Sequence, residues 1–540
     1  MDLPFAGGHG PGRSADQSPQ TCINFFNEPP SQAGDPPHLI GTPGFALLPA
    51  LAPPHAAQVR GIYWLGEGAF RDEIVVVVGN RVYTYDMQLN IWTDRNAAAR
   101  LGSTTGTVDI AYNGASSGEL WIATGAQLAV FDRSAPSFVI NATFTAGANT
   151  ACFIDGYLIA DDRANTGRFY YSDLYNGNSV NPFSFATAEG STDRLLAVRA
   201  NRRELWLLGE SSTEVWFSSG DGNLPFQRFQ GGFVEMGIAA PLTAVAVDNT
   251  MMWLAKDRQG QLQVVRASDG YQPTVVSTTE LNYLWSSYRY LNVGVGQFAF
   301  ACTYQIGGHA CYVLTFTNYD GASSRATFVY DVTTKLWHQW RTGENQGHLL
   351  NCMAYFGSNI LTAPTTDGGI LIGDSAANGN IYLLKESTYT ENGAYIYRER
   401  TLPVFRSDRK KVRVAMVEVD MGDLTGTSQT ASTTVANLVG IAQGATSVDL
   451  AAAGTVAIGD AIRITLDNGW KHFALVTNVV GATVTFADSP TPAAAALGNA
   501  ILCNATNKVT LTWAKDDAIN FVTPITLNDK SQTRALTGQD

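Results

Sequence analysis

Charge is scarce in this sequence. Asp, Glu, Lys and Arg make up 15 % of its 540 residues, against roughly 25 % in an ordinary domain. What charge there is leans acidic, with 35 Lys and Arg against 47 Asp and Glu, a formal balance of −12. Tight non-specific attachment to nucleic acid needs clustered Lys and Arg, so that class of function is excluded. Cysteine is sparse too. Cys22, Cys152, Cys302, Cys311, Cys352 and Cys503 are scattered, and no C-x-x-C pair occurs. They are expected to be buried free thiols of a protein folded in a reducing cytosol, not a zinc site or a disulfide framework. No apolar run approaches the length of a membrane span; the longest β-branched run, Ile74–Val78, is strand length. No membrane-spanning segment is therefore expected. Met1–Gln20 has no basic region followed by an apolar core, so it does not read as a signal peptide.

What is abundant points to β structure. Apolar residues reach 45 % and aromatics 11 %, too many for a disordered chain, and 52 Gly accompany them. Residues 1–44 are broken by Gly7-Gly8, Pro11-Gly12, Pro29-Pro30, Pro36-Pro37 and Pro43-Gly44. Such punctuation predicts an extended N-terminal arm with no helix or central strand. Phe5, Ile23, Phe25 and Phe26 are apolar anchors that a free tail would not need, so the arm is expected to dock.

From Gly61 a unit recurs: a strand, a turn, and a second strand that often closes on an aromatic and Asp. The copies are Ile74–Val78 with Arg81–Asp86, Leu120–Ala123 with Leu128–Asp132, Tyr157–Ile159 with Arg168–Asp173, and Leu205–Leu208 with Thr213–Phe217. Met252–Leu254 with Leu262–Val265, Tyr312–Phe316 with Thr327–Asp331, and Gly369–Asp374 with Gly379–Leu384 follow. The spacing, roughly 40 to 60 residues, is that of propeller blades, each a sheet of four short strands. The fold class predicted is all-β, a β-propeller of about six to eight blades over residues 45–402. Stacked sandwiches are the rival and predict a less regular recurrence.

After Pro403 the pattern changes. Lys411–Asp420 alternates as a strand exposed on one side, and Lys508–Trp513 resumes that alternation. These two are expected to pair, within a β-sandwich-like C-terminal domain of residues 403–426 and 506–540. Residues 427–505, rich in Ala, Thr, Val and Gly, read as an inserted small β domain. Its candidate strands are Ser447–Leu450, Ala461–Leu466, His472–Thr477 and Thr483–Phe486, with a hairpin turn at Asp467-Asn468-Gly469.

A search for chemistry yields little. There is no P-loop, no H-E-x-x-H and no G-x-S-x-G at a strand–helix turn. The glycines of residues 7–12 neither follow a strand nor open a helix, so they present no phosphate cradle. His9, His38, His55, His309, His338, His348 and His472 are dispersed and read as ordinary satisfied side chains. A propeller glycosidase would use paired carboxylates facing the axis, for which Asp155, Asp161, Asp162, Asp173, Glu189, Asp193, Glu210 and Glu214 are the candidates. The plainer reading places them at turns and blade edges. Trp513-Ala514-Lys515-Asp516-Asp517 with Phe521 faintly resembles a sialidase Asp-box, which is itself structural, and it occurs once without its Gly. Exposed Tyr and Trp could mark a carbohydrate surface, but their repeat positions suit core packing. No catalytic residue, cofactor or metal is assigned, and the protein is expected not to be an enzyme.

Several stretches resemble the packaged-DNA stabilisation, or tail hub (nozzle), family of short-tailed double-stranded-DNA phages. They are Cys22–Glu28 with Gly41-Thr42-Pro43-Gly44, Phe153–Tyr157, Phe169–Asp173, Asn181–Gly190 and Glu204–Trp216. Pro225–Arg228, Met236–Pro241, Gly270-Tyr271, Val276-Ser277-Thr278, Gly308-His309, Tyr330-Asp331 and Trp337-His338 continue the likeness. It covers about residues 20–425 and the strand near Trp513, and departs at the 427–505 insertion. Shortly after Trp513 the chain reaches Asp540, where relatives carry more sheet, so a shortened C-terminal domain is expected. The resemblance implies a structural protein of the virion tail, assembled in the host cytoplasm as a ring, usually a hexamer. That ring would sit below the portal and adaptor, contact tail fibre, spike or needle proteins, retain the packaged genome, and pass double-stranded DNA without sequence-specific binding. A propeller glycosidase, depolymerase or glycan-binding tail module is the alternative. The arm is the expected reach to a neighbouring subunit or the adaptor.

Overall fold

The structure is a computed structural model. It describes residues 6–10, 20–30 and 37–401, apart from 97–98, 115–117, 223–224, 258, 268–270, 289–297, 321–323, 344–345 and 358–367; beyond 401 it describes separate stretches between 416 and 535. The chain divides into two compact units, Met1–Val404 and Phe405–Asp540.

Among the described residues the first unit holds seven antiparallel four-strand blades, five of them separate sheets and two, blades 6 and 7, parts of larger sheets of seven and six strands. Blade 1 holds Val59–Tyr63, Glu73–Val78, Arg81–Asp86 and Ile91–Asp94. Blade 2 holds Asp109–Tyr112, Glu119–Ala123, Leu128–Asp132 and Val139–Ile140. Blade 3 runs through Ala151–Ile154, Tyr157–Asp161, Arg168–Tyr171 and Phe185–Thr187. Blade 4 runs through Leu195–Asn201, Glu204–Gly209, Thr213–Ser218 and Phe226–Val234. Blade 5 comprises Val245–Val247, Thr250–Lys256, Leu262–Ala267 and Pro273–Val275. Blade 6 comprises Ala299–Ile306, His309–Thr317, Arg325–Asp331 and Leu336–Thr342. Blade 7 takes three strands in sequence, Leu350–Phe356, Gly369–Asp374 and Ile381–Lys385. Its fourth is Gly44–Leu47, antiparallel to Ile381–Lys385 with Phe45 opposite Leu384.

Strand alternation explains why the sheets pack as a closed ring. Ile74, Val76 and Val78 point one way and bury with Leu371, Ile381 and Leu383 of blade 7. Val75 and Val77 point the other way and bury with Leu120, Ile122 and Phe131 of blade 2. A middle strand that is apolar on both faces thus feeds two cores. The same holds around the ring, with one apolar core between every neighbouring pair of blades, including blade 6 to blade 7. The fold is a seven-bladed β-propeller. A helix, Thr279–Ser286, enters between blades 5 and 6; Thr278 Oγ1 accepts from Leu281 N, and Trp285 is buried among Phe316, Phe328 and Trp337.

The N-terminal segment differs from the irregular arm expected. Cys22–Ile23 adds to blade 6 between Leu336–Thr342 and Glu399–Arg400, and Phe25–Glu28 forms a hairpin with His38–Gly41. Asn24, at φ 53°, makes the bend between the two strands; its amide Nδ2 donates to Arg341 O and Tyr397 O, and its Oδ1 accepts from Arg341 N. Asn is among the few residues that tolerate that left-handed conformation. Ile23 and Phe26 are buried, whereas Phe5 lies outside the described residues. Residues 22–23 thus pair within blade 6 and residues 44–47 within blade 7, whereas residues 25–28 and 38–41 pair with each other in a separate two-stranded sheet.

In the second unit, described strands between Ala431 and Cys503 pair with one another, Ala431–Thr434 with Ala500–Cys503 and Ala461–Thr465 with Lys471–Leu475. Val448, Ile462, Ile464, Val484 and Phe486 share a core. Most of the expected turn at Asp467-Asn468-Gly469 lies outside the described residues. The expected pairing of 411–420 with 508–513 is corrected: Met416–Val419 pairs with Gln532–Ala535, and Val509–Leu511 with Ile525–Leu527. Alternation shows which way side chains face along a strand but carries no information on the partner.

Candidate functional site

A propeller offers its axis as the first place to look for function. Here side chains join the inner strands of several blades. Asp109, on the innermost strand of blade 2, pairs with Arg199 of blade 4 at 2.5 Å, and it also accepts from Ala151 N of blade 3 at 2.8 Å. Arg199 Nε donates to Ala244 O, before blade 5, at 2.8 Å. The ion pair joins blades 2 and 4 past the inner edge of blade 3, so blades 2, 3 and 4 and the segment entering blade 5 meet at this one cluster. Nearby, Thr107 Oγ1 donates to Asn351 O, and Asn351 Nδ2 to Val59 O, linking blades 2, 7 and 1. Arg60 is fully buried and donates to Gly79 O, Ser103 O and Ser103 Oγ and to Gly106 O. Burial lowers its pKa to about 10.

Six of the eight candidate carboxylates hold the backbone or a neighbouring side chain. Asp161 is completely buried and accepts from Asn149 N, Asn149 Nδ2, Thr150 N and Thr150 Oγ1. Burial raises its pKa to about 6 against those donors. Asp162 next to it caps the following turn through Ala164 N and Asn165 Nδ2. Asp193 suffers desolvation, yet hydrogen bonds from Ser211 and Ser212 outweigh it and hold its pKa low. Glu214 is buried, accepting from Gly190 N and Trp216 Nε1. Asp173 accepts from Ser179 Oγ, and Asp155 pairs with Arg203 at 3.2 Å. Glu189 and Glu210 are exposed. The Trp513–Phe521 stretch lies outside the described residues.

The histidines are not as independent as their sequence spacing suggests. His309, on blade 6, is buried between Asp331 Oδ2, 2.7 Å from its Nδ1, and Glu28 Oε2 of the N-terminal hairpin, 3.0 Å from its Nε2. Burial opposes its charged form, but the two carboxylates win and raise its pKa. His9 N donates to Trp337 O, and His9 Nδ1 accepts from Cys22 N. Burial lowers His9 to about 4 and, on blade 6, His338 to about 3. Sequence reasoning missed this cluster because His9 and Glu28 are brought to it by a chain closure some 300 residues long, which leaves no local signal. Cys22, Cys152, Cys302, Cys311 and Cys352 are free, and burial raises each thiol's pKa. Among the described residues no group of His, Cys, Asp and Glu is arranged to hold a metal ion, and no helix is long and apolar enough to cross a membrane.

The ring is a seven-bladed propeller whose last blade is completed by Gly44–Leu47 of the N-terminal segment. The family model described as "Bacteriophage P22 Gp10, beta-propeller", the phage-stabilisation family, matches residues 1–389. The chain belongs to this family of phage structural proteins. No curated protein matches it. Among solved structures it is similar to the N-terminal domain of Nup159, at 10 % identity and a TM-score of 0.36, covering 66 % of this chain and 97 % of that one. It is similar to YCF48 bound to D1 peptide, at 11 % identity and a TM-score of 0.35, covering 64 % and 97 %. PorZ of the type-IX secretion system of Porphyromonas gingivalis matches at 10 % identity and a TM-score of 0.31, covering 63 % and 39 %.

Proposed function

We propose that this protein is a ring-forming hub, or nozzle, of a phage tail. In this reading several copies, six in the form the family resemblance implies, assemble below the portal and its adaptor. The ring extends the DNA channel, retains the packaged genome and conducts it on ejection. Tail fibre, spike or needle proteins attach to it. The observation that carries the proposal is membership of the phage-stabilisation family across the propeller.

The physical arrangement supports it. In this reading DNA runs through a lumen between subunits. A conduit must let a polyanion slide, and a net charge of −12 avoids the Lys and Arg contacts whose released counterions would hold it. The lumen wall is accordingly neutral or acidic in this account, and a continuous ring of Lys or Arg there would count against it. The buried, hydrogen-bonded state of Asp161 and Glu214, and the hydrogen bonds that Ser211 and Ser212 donate to Asp193, support a role without catalysis. Residues 427–505 are the proposed decoration between subunits or toward fibres.

The test is a phage deprived of this chain. Heads should fill and then lose their DNA, which becomes sensitive to nuclease, and supplying the chain should restore retention. Particles that keep and deliver their DNA without it would overturn the proposal.

A further inference from the structure

On blade 4 a groove of about 300 Å³ opens to solvent, lined by Glu204, Val215, Trp216, Phe217, Phe229 and Tyr271. Three features build it. The outermost strand leaves its ladder: Phe233 faces Glu214 and Arg228 faces Trp216, so Phe229–Gly232 stand against Val215 alone. That bulge, with Gly231 at φ +89° in open space, carries the Phe229 ring to 5.6 Å from Tyr271. Bulges commonly re-aim a side chain in this way. Tyr271 in turn holds φ at +62°, a costly conformation for an aromatic residue, and its ring lies 5.8 Å from Trp206. The third feature is Glu204, which faces Phe217 across the ladder. Its Oε1 accepts from Tyr271 Oη at 2.6 Å and its Oε2 from Trp206 Nε1 at 3.2 Å.

Of the six lining residues only Glu204 is charged, and among the described residues no Lys, Arg or His lies within ion-pair distance of it. Arg203, its sequence neighbour, pairs with Asp155 instead. The groove therefore joins ring faces, which attract cations, to a carboxylate without a counter-ion. Phe217 and Phe229 are 38 % and 44 % exposed. We propose that this groove receives a basic side chain, Arg or Lys, from a partner protein, with its charged head over Phe229 and Tyr271 and beside Glu204. A long basic side chain also has the apolar stem that the remaining wall requires. An anionic group would meet Glu204, and a sugar would find one carboxylate and few other polar partners. Arg and aromatic residues are the usual anchors of protein interfaces.

The proposal does not depend on the tail reading, and its test needs no other tail protein. The full chain is titrated by calorimetry with an acetylated, amidated Gly-Arg-Gly peptide, its citrulline counterpart, and maltohexaose. The arginine peptide should bind saturably and lose affinity with salt, and citrulline should bind roughly tenfold more weakly. Glu204→Gln and Phe229→Ala should each weaken the arginine peptide roughly fivefold. Phe229 sits exposed on a bulge, so its variant should melt like the parent, which keeps the comparison free of misfolding. No binding of the arginine peptide, equal binding of citrulline, unchanged affinity in both variants, or maltohexaose binding that Phe229→Ala abolishes would each overturn the assignment.

Discussion

His9, His338 and His348 are all buried, and burial lowers their pKa values to about 4, 3 and 3. An unfolded chain would protonate the same groups near 6.5. Between those values the unfolded state binds more protons, so these three side chains cost the fold stability as pH falls from about 6.5 toward 4. His309 acts in the other sense. Its raised pKa contributes stability that is full below 6.5 and is lost as pH rises through its folded value. Asp161, raised to about 6, likewise favours the folded state more at low pH and loses that contribution as pH rises through about 6. Three lowered histidines act against His309 and Asp161, so the melting temperature should fall from pH 7 to pH 4.5. Thermal melts across that range check this, and a flat or rising profile would show that the buried histidines do not govern acid stability. The same residues mark a limit of sequence reading. Each His could be read as satisfied, but the convergence of His9, His309 and Glu28 depends on pairing between strands at opposite ends of the propeller.

At the scale of elements, the strand that closes the ring carries the greatest load for its length. Gly44–Leu47 has four residues, yet Phe45 is buried against Tyr382, with ring centroids 5.1 Å apart, and against His348 at 6.0 Å. Gly44 is needed because a Cβ there would run into the backbone of Thr390. Phe45→Ala should cost about 3–5 kcal/mol, lower the melting temperature, and make the junction of blade 7 and the N-terminal segment the first site cut by protease. A variant that melts and digests like the parent would remove this strand from the closure. The middle strands of each blade were legible in the sequence because burial on both faces writes a continuous apolar run, as in Ile74–Val78 and Leu120–Ala123. The edges were not. Outer strands such as Val139–Ile140 and Pro273–Val275 are short and half-exposed, and innermost strands carry polar residues such as Asp109 and Arg199, which pair with each other. Gly44–Leu47, set between Pro43 and Pro49, reads locally as a turn. The helix Thr279–Ser286 was missed as well, although Thr278 with Glu280 in the first turn is an N-terminal signal. The groove at Glu204 left no sequence trace, since its walls come from a bulge, a strand pair and a loop about 65 residues apart.

For the whole molecule, the account joins a rigid scaffold to assembly. Seven interblade cores fix the blades to one another. In the proposed reading function is carried by outer surfaces and by the number of copies. Low charge density suits large subunit contacts in closed rotational symmetry, and in the proposed reading residues 427–505 and the groove on blade 4 serve other proteins. The most direct test is the native mass of the purified full chain, alone and mixed with its portal–adaptor complex. The account predicts a closed ring of several copies, or capture of several copies onto the complex from a monomeric pool. A strict monomer that never joins the complex would contradict the tail-hub reading.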